Sequence, residues 1–195
     1  MRSTLDKLIS GAGLLLVAVL LVAGGLLTWA HVFIGNQVHD QLSMQGITMP
    51  AKADLETQAQ HDALDKYAGQ QLTTGPQAKA FANSYILVHM NAASGGKTYE
   101  DISGQYVGLS DADKASPDGQ ALAGLRQTLF MGDTLRGLLL YGYAFATMGT
   151  IALYAAIASF GGALLLLVLS VLGIRHGRQT ETVKAPATRA VPVTV

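Results

Sequence analysis

The chain has 195 residues, of which 50% are hydrophobic and 13% charged, with a mean hydropathy of +0.32. That is too apolar and too sparsely charged for an ordinary soluble domain. Thirteen Lys+Arg balance thirteen Asp+Glu, which leaves no basic excess for phosphate neutralisation and argues against nucleic acid as a partner. Cysteine is absent, so disulfides, thiolate catalysis and thiolate metal sites are excluded.

After a short basic start (residues 1–7, with Arg2 and Lys7 against Asp6), no charge occurs from Leu8 to Gly35. A hydrocarbon core of ~30 Å needs ~20 helical residues, so residues 8–34 are expected to form a first transmembrane helix. The alternative is a cleaved signal peptide with Thr28-Trp29-Ala30 as its processing site, but the run exceeds the ~7–15 apolar residues of such a leader. His31 to Met44 is expected to prolong this helix, ending near Gly46 and Met49-Pro50.

Leu55, Ala59, Ala63 or Leu64, and Tyr67 fall at helical spacing within 53–67, and Gly69 is a plausible stop. A turn at Thr73-Thr74-Gly75-Pro76 leads into a helix over 77–93, whose buried face is read as Phe81, Tyr85, Val88 and Ala92. Ser94-Gly95-Gly96 ends it. Thr98 and Asp101 stand at capping-box spacing and open a short helix closed by Gly108. Residues 110–119, with Asp111, Asp113, Lys114, Pro117 and Asp118, read as a solvated loop holding at most one helical turn. Leu122, Leu125, Leu129 and Leu135 then place residues 121–136 on a helix that runs into a second uncharged stretch, Gly137 to Ile174. No internal repeat is evident.

Residues 137–174 are longer than one span and barely long enough for two. The only turn available to a hairpin is Gly161-Gly162, with no polar residue beside it. Charge decides for one helix. Both ends are basic, the tail carrying Arg175, Arg178, Lys184 and Arg189 against Glu181, whereas residues 35–136 hold seven basic and eleven acidic residues, a net of −4. Basic flanks prefer the cytoplasm, so two spans are expected, with both termini cytoplasmic, residues 35–136 outside a bacterial plasma membrane, and 175–195 as a flexible tail. Trp29, Phe33, Tyr141, Tyr143 and Phe145 are then expected to form one aromatic belt at the outer interface. The fold class is an all-α membrane protein, two transmembrane helices flanking a small extracytoplasmic helical bundle.

Small residues on a recurring helix face mark close helix packing in lipid. Gly149, Ala152, Ala156, Ser159 and Ala163 recur at three- and four-residue spacing, and Gly11, Ala18 and Gly25 recur every seven. Both stripes are expected to pack, with each other or with a partner subunit.

Chemistry is sparse. His31, His39, His61 and His89 are never close enough in sequence for a zinc pair, His31 and His39 being about 12 Å apart on a helix at ~1.5 Å per residue. Gly96-Lys97-Thr98 ends like a phosphate loop, but Asn91 stands where its first glycine is needed. Asp111 and Asp113 lack the glycine and final glutamate of a calcium loop. No catalytic residue, cofactor site or metal site is expected. The one pocket suggested by pattern would lie near Phe81, Tyr85 and His89.

At His31-Val-Phe-Ile-Gly-Asn-Gln-Val-His-Asp-Gln-Leu, and again at Thr128-Leu-Phe-x-Gly-x-Thr-Leu-Arg-Gly-Leu-Leu-Leu, the chain resembles a family of uncharacterised actinobacterial membrane proteins. Some of these carry the label aromatic ring-opening dioxygenase. That chemistry wants an iron cluster of histidines and carboxylates, which this sequence does not assemble, so no catalytic residue is carried over. The layout is also similar to that of small accessory subunits of actinobacterial respiratory supercomplexes. The resulting expectation is a non-enzymatic membrane protein whose outer domain makes protein contacts, with the bilayer and a membrane-protein partner or a second copy as its company. A small-molecule sensor is the alternative class, and a cell-envelope hydrolase the third.

Overall fold

The computed structural model describes residues 2–182. Seven α-helices follow one another: α1 (Arg2–Met44), α2 (Gln58–Leu64), α3 (Gly75–Phe81), α4 (Leu87–Ser94), α5 (Tyr99–Val107), α6 (Asp111–Lys114) and α7 (Pro117–Thr182). Among the described residues the only extended pairing is an isolated antiparallel bridge between Thr48 and Gln71. Helices α1 and α7 each contain a segment long and apolar enough to cross a membrane, within Leu5–Met44 and Pro117–Arg178. Only 17% and 11% of their most apolar windows are buried, which is not how the core helix of a soluble protein behaves.

The chain divides into two units, one of Met1–His31 with Ile151–Val195, the other of Val32–Thr150. In the first, α1 and α7 run antiparallel and close together. Ser10 lies against Gly173, Ser170 against Gly13, Leu20 against Gly162 and the Phe160 ring against Gly24. A Cβ on Gly13 would collide with the Ser170 hydroxyl, and one on Gly173 with that of Ser10. The two serine–glycine contacts are thus reciprocal, and the missing side chains are what allow the backbones to approach.

The second unit, Val32–Thr150, is built around larger side chains. Leu64, Leu72, Ala78, Ala82 and Leu139 are fully enclosed, with Val38, Leu42, Met49, Leu55 and Phe81 completing the cluster. A smaller cluster of Met90, Ile102 and Leu129 gathers Tyr99, Leu122 and Leu125 around it. Residues 137–150 of α7 belong to this unit, so the uncharged run of 137–174 is shared between two environments. It is one helix, which passes straight through Gly161-Gly162.

Several elements depart from the sequence reading. The helix expected over 53–67 is a 3-10 turn (Lys52–Asp54), then α2, then a second 3-10 turn (Asp65–Tyr67). Thr57 starts α2: its hydroxyl accepts from the Gln60 N–H, while the Gln60 side-chain Oε1 accepts from the Glu56 and Thr57 N–H groups. Thr74 and Gln77 repeat this reciprocal cap at the start of α3. Leu55-x-Thr57-x-x-Gln60 and Leu72-x-Thr74-x-x-Gln77 are therefore one motif used twice, a repeat that the sequence reading overlooked. In both copies the leucine and the glutamine are buried.

The single helix expected over 77–93 is interrupted by a π-helical turn, Ala82–Ile86, between α3 and α4. The extra residue rotates the helix beyond it, so Met90 and Ser94 turn inward and Ala92, assigned to the buried face, is exposed. Arg136 ties this turn to α7, donating from Nε to the Ala82 carbonyl at 3.1 Å and from Nη2 to Asn83 at 3.3 Å. Thr98 and Asp101 cap α5 reciprocally, and Gly108 comes directly after its last residue. The loop of 110–119 is shorter than read, because Ser110 caps α6 and α7 already starts at Pro117. At the far end α7 stays helical to Thr182, past the expected start of the tail at 175, with no proline between Pro117 and Pro186 to break it. Residues 183–195 lie outside the described part.

Candidate functional site

The residues singled out by pattern fall into three places. Gly149, Ala152, Ala156 and Ala163 are buried along α7 and Ser159 is half-buried, its hydroxyl returned to the Ala155 carbonyl at 2.8 Å. Gly11, Ala18 and Gly25 are exposed, and a Cβ at Gly11 or Gly25 would meet nothing within 4 Å. The face of α1 that meets α7 is instead Ser10, Gly13, Val17, Leu20, Gly24 and Leu27, at alternating three- and four-residue steps. A strict seven-residue period mimics such a face over a few turns, so periodicity alone selected the wrong neighbours.

The Phe81–Tyr85–His89 constellation closes on itself. Phe81 and Tyr85 stack at 5.1 Å between ring centroids, the His89 ring tilts onto Tyr85 at 4.3 Å, and His89 Nδ1 lies 2.8 Å from the Tyr85 carbonyl oxygen. With Phe81 in the core and His89 exposed, the three rings stack from the interior to the surface.

The five aromatics expected in the belt make different contacts. Tyr143 turns to Lys79, whose ammonium stands 4.6 Å over its ring and 3.3 Å from its hydroxyl. Phe33, Tyr141 and Phe145 together face a different feature, a groove of 410 Å³ in the second unit between α1 and α7. Trp29 belongs to the other unit and is 64% exposed.

The groove arises from the repeat of the α-helix. On α1, Ile34, Val38 and Leu42 recur every four residues and underlie it, and Gln37 and Gln41, each one position before Val38 and Leu42, form one wall that Gln45 continues in the turn after Met44. On α7, Leu138, Tyr141 and Phe145 make the opposite wall, each more than half exposed. Gly142 lies between Tyr141 and Phe145, packed close over the buried Leu42, whose nearest methyl a Cβ there would meet at 3.5 Å. Gln41 reaches Gln37 only at 3.5 Å, too long for a strong bond, so the amide wall keeps both donors and acceptors to offer. The periodicities of both helices contain this site, but the sequence pattern assigns Phe33, Tyr141 and Phe145 to a membrane belt and the glutamines to no site.

Elsewhere the unit holds polar contacts of a structural kind. Arg126 donates to Ser103 at 3.0 Å and to the Tyr99 hydroxyl at 3.4 Å and lies over the rings of Tyr99 and Tyr106. Hydrogen bonding with Ser103, then with Arg126, holds the Tyr99 phenol below its usual pKa. His61 pairs with Asp65 at 2.9 Å, four residues on. Among the described residues no three His, Asp or Glu side chains come together as metal ligands would. No family model, curated protein or solved structure matches this chain.

Proposed function

We propose that the chain is a two-pass plasma-membrane protein, with both termini cytoplasmic and residues 35–136 outside, whose helical middle unit makes protein contacts as an accessory subunit of a larger membrane complex or in a homo-oligomer. The observation that carries the membrane reading is the inverted burial of the helix pair. Ser10, Val17, Ala152, Ala156, Ala163 and Ser170 are shielded there, while Leu15, Val22, Leu26, Ile157, Leu164 and Leu165 are each more than half exposed. Water would drive the opposite arrangement, and lipid permits this one. The absence of a catalytic cluster from the sequence motifs and the exposed aromatic wall at Tyr141 and Phe145 favour binding over chemistry.

The test is purification of the tagged chain from its native membrane in mild detergent, with mass spectrometry of the eluate. A larger complex at fixed stoichiometry is expected; the chain alone, as a monomer, refutes the contact role. Because the chain has no cysteine, single cysteines at Lys52 and Lys97 should react with an impermeant maleimide from outside, and one at Arg178 should not. A second reading, an extracytoplasmic small-molecule binding protein, is favoured by the groove, whose volume lies in the range of ligand sites.

A further inference from the structure

We infer that the groove takes an uncharged amphiphile, a lipid-like molecule with an apolar chain and a neutral, oxygen-bearing head such as a glyceride. The inference rests on the second reading above and on the membrane as the source of the molecule. Its argument is the chemistry of the two walls. None of the groove's lining residues is charged, although residues 35–136 around it carry seven basic and eleven acidic side chains. A phosphate or carboxylate entering here would shed its water and meet no cation, which is a heavy penalty. A pure hydrocarbon would satisfy Leu138 and Phe145 but leave the amides of Gln37, Gln41 and Gln45 facing methylene groups, again at a cost. A hydroxyl or ester against the glutamines and a chain against Leu138, Tyr141 and Phe145 satisfies both walls.

Gln37 and Gln41 stand about 6 Å apart along α1 at ~1.5 Å per residue, so a head with two or three oxygens can bond to more than one amide. Gly142 lines the groove, and a Cβ there would already touch Leu42 at 3.5 Å, so a large side chain has to take up the groove's own volume.

The experiment uses the full chain in phosphatidylcholine vesicles with a diacylglycerol carrying a diazirine in its acyl chain, and maps the labelled peptides after irradiation. Label is expected on residues 33–45 and 138–145, suppressed by excess dioleoylglycerol and not by dioleoyl phosphatidic acid, which has the same chains and a charged head. Gln41→Glu and Gly142→Leu should each cut labelling about tenfold, the equivalent of one lost hydrogen-bonding or packing contact. Leu165→Ala, in the other unit and exposed, should leave it unchanged.

Equal competition by phosphatidic acid overturns the inference, as does label spread evenly over exposed positions such as Leu15 and Val22 and insensitive to the groove variants. So does a co-purifying protein that cross-links through Tyr141, which would make the groove a protein contact. The competition pair uses the unaltered chain and decides the matter even if a variant misfolds. If alkaline washing strips the chain from the vesicles, the membrane reading fails separately, and the same competition in detergent micelles still tests the groove.

Discussion

In the unit of Met1–His31 and Ile151–Val195 the shielded positions are mainly serines, alanines and glycines and the leucines face outward, whereas in Val32–Thr150 the fully enclosed side chains include Met49, Leu64, Leu72, Ile102, Leu129 and Leu139. The same two long helices contribute to both units, so helix propensity does not account for the contrast. On the membrane reading proposed above, the surroundings do. Where water is outside, stability comes from removing large apolar side chains from it; where hydrocarbon is outside, a leucine gains little by turning inward, and close backbone approach becomes the source of cohesion. The boundary within α7 lies near Thr150, inside a stretch that carries no charge on either side.

The largest expected effect tests that contrast directly. Leu72→Ala, at a position with no exposure, should cost about 2–5 kcal/mol of stability in the middle unit by lost transfer energy and a residual cavity. Leu165→Ala, 61% exposed in the helix pair, should change it by less than about 0.5 kcal/mol. Chemical unfolding in detergent followed by circular dichroism measures both. Equal losses would mean that both units respond to water alike, and the contrast would collapse.

Next in size is the reciprocal packing of serine on glycine. Gly13→Leu should push α1 from α7 where Ser170 seats, an overpacking worth about 1–3 kcal/mol. The same change at Gly11 or Gly25 has open space around it and should be neutral. A cysteine pair replacing Leu20 and Gly162, which stand in contact, provides the readout: disulfide yield should fall with Gly13→Leu and hold with Gly11→Leu. The reverse outcome would restore the seven-residue stripe as the packing face.

That stripe shows what the sequence made legible. Composition and the absence of charge were enough to find both apolar helices, and the three- and four-residue spacing on α7 picked out its shielded face, because alanine and glycine among leucines stand out. On α1 small residues occur on several faces, and Gly13 and Gly24 announce themselves only once Ser170 and Phe160 are seen opposite. The π turn at Ala82–Ile86 was hidden for a similar reason. It is anchored by Arg136, over 50 positions away in the chain, and no local pattern reports such a partner. The groove escaped because its walls come from two distant segments, each with an ordinary explanation of its own.

A smaller effect is expected from the repeated cap. Thr57→Ala and Thr74→Ala should each cost about 0.5–2 kcal/mol, since each leaves a first-turn N–H without its acceptor. Both should sit toward the upper end of that range, because Gln60 and Gln77 are nearly fully buried and lose part of their own hydrogen bonding with the threonine. Thr98→Ala removes a cap of the same design at an exposed site and should fall toward the lower end. Unfolding midpoints of the three variants under one condition give the order, and a Thr98 variant as costly as the other two would show that burial contributes nothing to this motif.

The smallest effect is a titration at that third cap. The Asp101 carboxylate accepts from the Thr98 N–H at 2.9 Å and from its hydroxyl at 2.8 Å, and these two bonds, the backbone one first, hold its pKa below the ordinary value of 3.8. A carboxylate whose pKa is depressed on folding contributes stability above its unfolded pKa and loses it as pH falls through the folded one. The contribution of α5 should therefore be constant from neutrality down to about pH 4, then fade as the carboxyl protonates and can no longer accept both bonds. Asp101→Asn should remove the acid-side slope while sparing the helix start, because Thr98 still accepts from the residue 101 N–H. Amide exchange at Ile102, read between pH 5 and pH 3 after correction for intrinsic rates, isolates this cap from the rest of the chain. Unchanged protection across that interval would mean that the helix is held by Ile102 in its apolar cluster and owes nothing to the carboxylate, a conclusion that would extend the dominance of large buried side chains in this unit to one of its more exposed helices.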